Sequence, residues 1–72
     1  MSQKKLLPLS EIAKKLKQLR GQRSVAEVSE ATGIGISALN NYEAALRIPR
    51  DEAKAILADY YGLTVDNIFF TQ

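Results

Sequence analysis

The 72 residues leave room for one domain and no second, catalytic module, and a domain of this size lies near the lower limit at which a chain buries its own core. An apolar share of 46% with 25% charged residues is that of a folding globular domain, and the lack of cysteine and histidine excludes a disulfide framework, a thiolate metal site and the commonest general base. Ten Lys and Arg against eight Asp and Glu leave a net charge of only +2, so any preference for a polyanion must come from how the charges are distributed.

The residues before the first helical pattern, 1–8, read as a flexible N-terminal arm, and 9–72 as the domain. Pro8 cannot sit inside a helix, and Ser10 offers a capping oxygen just ahead of Ile12, Leu16 and Leu19, whose four- and three-residue spacing places them on one face. Lys14 and Lys17 fall opposite, and Gly21 is a natural stop. Ser24-Val25-Ala26-Glu27 reads as a capping box that opens a second helix at Ser24, with Val25, Val28, Ser29 and Thr32 on one face and Gly33 at its end.

After Gly33-Ile34-Gly35 a third helix is predicted, with Leu39 and Tyr42 facing inward and Ser37, Asn40, Asn41 and Ala44 outward. That outer face carries no charge, whereas Lys and Glu are the ordinary filling of a solvated helix. Pro49 ends this segment, and a fourth helix opens at or near Asp51, with Ala53, Ile56, Leu57 and Tyr60 aligned and Gly62 closing it. Thr64 then caps a short fifth helix ending at Phe69 or Phe70, with Leu63 able to staple against Ile68. No period-two alternation, hairpin turn or internal repeat occurs, so the predicted class is all-α: a compact bundle of five short helices.

The block from Ser24 to Glu43, a short capped helix, a turn centred on Gly33 and a second short helix, fits a helix-turn-helix, because a glycine that accepts positive φ lets the second helix cross the first at a steep angle and protrude. A plain helical hairpin within a bundle fits the same block. The stretch Leu9 to Phe69 as a whole resembles the phage-repressor-like helix-turn-helix family, also called the XRE or Cro family. The matching residues are Leu19-Arg20, then Glu27, Val28, Glu30, Gly33 and Ile34, then Leu39, Tyr42-Glu43 and Pro49. The run Leu57 to Leu63 follows, with Val65, Asp66 and Ile68 beyond it.

That resemblance implies a lambda-repressor-like fold and a sequence-specific binder of double-stranded DNA that regulates transcription, with repression as the expected sign. It implies that Ile36 to Tyr42 is the recognition helix and that Ile36, Ser37, Asn40 and Asn41 contact bases, a set whose chemistry suits A·T-containing sites. Arg23, Ser24, Arg47 and Arg50 are the expected phosphate contacts, since a helix N-terminus and flanking guanidinium groups attract an anion. Arg20 and Glu43 match positions that pair with each other, so an internal ion pair bracing the third helix is expected of them. Several positions depart from the family pattern. The loop between Arg20 and Ser24 is short, Val25 stands where a phosphate-binding Gln is common, and Ser29 replaces the usual Ala. Ala45 stands where the family has glycine, and Leu46 and Ile48 replace frequent Lys or Arg.

The tail residues Val65, Ile68, Phe69 and Phe70 exceed what one short helix hides, so they are candidates for a homodimer contact, and a two-fold dimer would present its recognition helices about 34 Å apart to a near-palindromic operator. The alternative is a helix-turn-helix protein-interaction module of the anti-repressor or antitoxin kind, with little or no DNA binding. No enzyme activity, cofactor, metal site or small-molecule ligand is expected, because no nucleophile with its base, phosphate loop or ligand cluster is present. No apolar stretch approaches the roughly 20 residues that span a bilayer, and the first ten residues lack the features of a signal peptide, so a cytoplasmic location without membrane contact is expected.

Overall fold

A computed structural model describes residues 4–71 as five helices: α1 (Leu9–Arg20), α2 (Val25–Thr32), α3 (Ile36–Glu43), α4 (Asp51–Tyr61) and α5 (Val65–Phe69). Each contributes to one core. Ile12 and Leu16 of α1, Val28 of α2, Leu39 and Tyr42 of α3, Leu57 and Ala58 of α4 and Ile68 and Phe69 of α5 are all buried together. The periodic apolar residues thus meet as their spacing requires, although in α4 the face is rotated slightly: Ala58 is buried, whereas Ala53, Ile56 and Tyr60 are only half-buried.

The helix termini follow local chemistry. Pro8, not Ser10, is the N-cap of α1, and its carbonyl accepts from the amides of Glu11 (2.9 Å) and Ile12 (3.1 Å). Proline serves here because it already holds the extended ψ of a cap and has no N–H to leave unpaired, so the cap lies two residues before the serine, the helix begins at Leu9 and Ser10 stays exposed. Ser24 caps α2 and Thr64 caps α5, the threonine hydroxyl accepting from the Asn67 amide at 3.1 Å. Helix α4 ends at Gly62, which adopts a left-handed φ of +71°, with the Leu63 amide reaching back to the Ala58 carbonyl at 2.9 Å.

Residues 4–7 differ from the expectation of a free arm; positions 1–3 of that arm lie outside the described residues. Leu7 donates to the Phe69 carbonyl (2.8 Å), Thr71 donates to the Lys5 carbonyl (2.7 Å), and Leu6 faces Phe70 in an antiparallel bridge. Lys4 adds an ion pair to Asp66 at 2.7 Å. Residues 4–7 and 70–71 therefore pair beside the end of α5, and Leu7 packs against the core. Ile68 and Phe69 are turned into that core and fully buried, each 0% exposed, instead of forming an apolar partner surface. Among the described residues no helix is long and apolar enough to cross a membrane.

Candidate nucleic-acid interface

Helix α2 is built from both ends. The Ser24 hydroxyl accepts from the Glu27 amide (3.0 Å) while the Glu27 carboxylate accepts from the Ser24 amide (3.4 Å), a reciprocal cap. At the other end Gly33 takes a φ of +79° and donates to the Ser29 carbonyl at 2.8 Å. A Cβ added at Gly33 would meet nothing within 4 Å, so the requirement for glycine there is conformational and not spatial. Thr32 locks the turn from inside: its hydroxyl donates to the Val28 carbonyl at 2.7 Å and accepts from the Ile34 amide at 3.2 Å. Sequence reasoning placed Thr32 on the inner face and missed this role, which requires knowing that the chain folds back at the next residue.

Helix α3 leaves this turn with Leu39 and Tyr42 buried and its outer face open. Ser37 and Asn40 are exposed, Ile36 is 48% exposed, and Asn41 is half-buried, its carbonyl accepting from Leu46. Asn40 is therefore more accessible than Asn41. No charged side chain stands on this face. Glu43, on the flank toward α1, is held by Arg20, whose Nε lies 2.9 Å from Glu43 Oε2 and 3.1 Å from Oε1, with a further bond from Nη2 to Oε1 at 2.9 Å. Arg20 also donates to the Arg23 carbonyl at 2.7 Å, so one guanidinium ties α3 to the loop between α1 and α2. The bonds to Glu43, followed by its charge, raise the Arg20 pKa above the ordinary arginine value, although partial desolvation opposes them.

The cations divide into engaged and open groups. Arg23 stacks over Tyr60 (5.3 Å to the ring centroid) and Tyr61 (5.6 Å), so its guanidinium is drawn toward the end of α4. Lys15 donates to the Asn67 carbonyl, and Lys54 lies between Asp51 and the Phe70 ring. Lys14, Lys17, Arg47 and Arg50 are exposed and have no side-chain partner among the described residues. Arg50 lines a cleft of about 220 Å³ with Gly33, Ile34 and Tyr42, on the flank of α3 that faces α4. Lys17 lines a groove of about 300 Å³ with Asn40 and Ala44, on the flank that faces α1. At the start of α2 the Glu27 carboxylate occupies the Ser24 amide, so that terminus is less open to an anion than the serine alone suggested.

The profile of a family described as a helix-turn-helix domain matches residues 11–68, which span all of α2 and α3 and most of the core. The chain belongs to the helix-turn-helix domain family. No curated protein and no solved structure matches the chain. Membership indicates a DNA-binding regulator. The turn at Gly33 and α3 are the parts of the helix-turn-helix that leave Ser37 and Asn40 exposed. Among the described residues no cluster of carboxylates suited to a metal ion occurs.

The tail of the helix-turn-helix domain packs differently from the expected dimer contact. Ile68 and Phe69, expected at a dimer contact, are wholly buried, because α5 turns them into the core and residues 4–7 pair alongside its end. Val65 and Phe70 stay half-buried, and Leu63 beside them is 42% exposed.

Proposed function

We propose that this helix-turn-helix domain binds double-stranded DNA with sequence preference, inserting α3 into the major groove, and regulates transcription as a repressor of the XRE or Cro kind. The observation that carries this reading is the outer face of α3: small polar or apolar side chains without charge, with open cations on both flanks. A solvated helix is ordinarily filled with Lys and Glu, whereas short amide, hydroxyl and aliphatic side chains suit base edges in a groove about 12 Å wide. Ser37, Asn40 and Asn41 supply amide and hydroxyl groups for base edges, and Ile36 supplies a contact for a thymine methyl. Arg47 and Arg50 are the phosphate contacts on the α4 side, with Ser24 and Arg23 at the start of α2 as weaker members, since both already have internal partners.

In this reading the domain works as a homodimer on a near-palindromic operator in the cytoplasm, and repression follows from occupying a site that polymerase would use. The second copy meets the half-buried Val65 and Phe70 together with Leu63, not the buried Ile68 and Phe69.

Selection of bound duplexes from a random pool at low ionic strength tests the reading. An enriched, two-fold-related motif rich in A·T pairs at its contact positions is expected, and enrichment of no duplex would overturn it. A second reading, a protein-interaction module, draws on Leu46, which is 74% exposed beside the end of α3, and on the nearby exposed Ile48. Salt distinguishes the two, since binding through several phosphates weakens steeply as salt rises and an apolar protein contact does not.

A further inference from the structure

Since the outer face of α3 carries no charge, any cation that holds a flanking phosphate must come from neighbouring elements. On the α1 side the candidates are the cations of α1 and the loop after it. Five cations fall between Lys14 and Arg23, and three of them are committed: Lys15 to the Asn67 carbonyl, Arg20 to Glu43 and Arg23 to the two tyrosine rings. Lys14 and Lys17 remain, and the sequence pattern treats them alike as solvent-facing residues of one helix.

The fold separates them. Lys17 precedes Arg20 by three residues, so both lie on one face of α1, and the Arg20–Glu43 pair fixes that face against α3. Lys17 consequently shares a groove with Asn40 and Ala44 on the open side of α3, whereas Lys14 does not line it. The Arg20–Glu43 pair also lines this groove, and its charges cancel, so the one carboxylate on this flank is answered by a cation already.

We propose that Lys17 anchors a DNA backbone phosphate in the groove between α1 and α3, opposite the phosphate held by Arg50 in the cleft between α3 and α4. The inference rests on the DNA-binding reading above. It makes the interface a two-sided clamp: one cation on each flank of α3 faces one of the two strands bordering the groove, and the uncharged residues between them face the bases. The position of Lys17 is set by the ion pair one turn farther along α1, so its register with Asn40 is a property of the fold and not of the lysine alone.

Titration of the full chain with a short mixed-sequence duplex across a range of salt concentrations tests the proposal, with Lys14→Gln as the matched control. For Lys17→Gln the slope of log affinity against log salt becomes shallower by about 0.9, the loss of one phosphate contact, with binding roughly eightfold weaker near 0.1 M salt and on all sequences alike. Lys17→Arg retains the slope, and Lys14→Gln changes it little. An unchanged slope in Lys17→Gln, or equal losses in Lys14→Gln and Lys17→Gln, would overturn the proposal while leaving the DNA-binding reading intact. Failure of the unaltered protein to bind any duplex would overturn that reading, and this proposal with it.

Discussion

Helices α2 and α3 are equal in length, eight residues each, but they are held in opposite ways. Helix α2 carries its own instructions: a reciprocal Ser24–Glu27 cap, a left-handed Gly33 and a threonine that bonds back one turn. Helix α3 starts at Gly35, which offers no side-chain acceptor, and passes into a loop in which Ala45 takes a φ of +59°. A helix of this length is not stable alone in water. Helix α3 therefore depends on Leu39 and Tyr42 beneath it and on Arg20 at its side. The difference shows how one face of a short helix is kept open: the fixing contacts are confined to its inner face and one flank, and the outer face stays accessible.

The comparison breaks most severely at the brace. Arg20→Ala removes a guanidinium that makes three bonds to a carboxylate left only 11% exposed, and should cost about 2 kcal/mol of folding stability, since bonds to charged groups contribute about 1.5–3 kcal/mol. Chemical denaturation measures the loss, and amide exchange should locate the loosening in α3 and not in α2. Adding Glu43→Ala to that variant should cost little more, because the interaction has already gone. Additive losses would mean that the two residues stabilise the domain independently.

The corresponding change in α2 is smaller. Ser24→Ala deletes one half of a local cap and should cost about 1 kcal/mol. Faster exchange should be confined to the first turn of α2, and loosening that reached α3 equally would show that the two helices unfold as one unit and that the contrast has no energetic content.

The two helices α3 and α4 end alike but for one residue. After α3 the Leu46 amide donates to the Asn41 carbonyl and the Ala45 amide to Tyr42; after α4 the Leu63 amide donates to Ala58 at the same 2.9 Å, with a glycine at the left-handed position. The two ends share a motif, and only the one after α3 places a Cβ in it. The left-handed conformation costs a non-glycine residue about 1–2 kcal/mol, and glycine loses about 0.5–1 kcal/mol more on folding through its freer unfolded chain. Ala45→Gly should therefore stabilise the domain by roughly 0.5 kcal/mol, read as a rise in thermal midpoint with the duplex affinity unchanged. A fall in stability would show that the alanine methyl makes a compensating contact.

What could be read in the residues alone divides along the same line. The caps at Ser24 and Thr64 and the stops at Gly33 and Gly62 are local, and each lies where the pattern puts it. Long-range features were hidden. Lys5 and Thr71 are 66 residues apart and pair twice, the Thr71 amide donating to the Lys5 carbonyl and the Lys5 amide to the Thr71 hydroxyl, and nothing local in the sequence marks that pairing, so the closure over α5 and the burial of Phe69 could not be foreseen. Arg23 looked like any cation at a helix start until the end of α4 brought two tyrosine rings beneath it. Ile68 and Phe69 are apolar whether they close a core or meet a partner, and only packing decides which.

The smallest expected effect lies at the edge of the brace. Tyr61 is half-buried and packs edge-on against Tyr60 at 5.0 Å, close to Arg23. Burial raises its phenol pKa above the ordinary value of 10.0, the negative charge of Glu43 and the neighbouring Tyr60 raise it further, and Arg23 and Arg20 only partly offset them. A folded-state pKa above the unfolded one means that the native protein holds its proton more tightly, so the contribution to stability is complete below about pH 10 and is lost as pH rises through the folded value. Arg20 shifts in the same direction, but from an ordinary value high enough that its own loss begins only at more alkaline pH. Stability should therefore fall as pH rises beyond about 10, and Tyr61→Phe should flatten that fall while leaving the neutral-pH response of α2 and α3 to Arg20→Ala unaltered. An alkaline slope that Tyr61→Phe leaves untouched would show that the phenol ionises as freely in the folded chain as in the unfolded one, and that the brace and its aromatic neighbour are electrically independent.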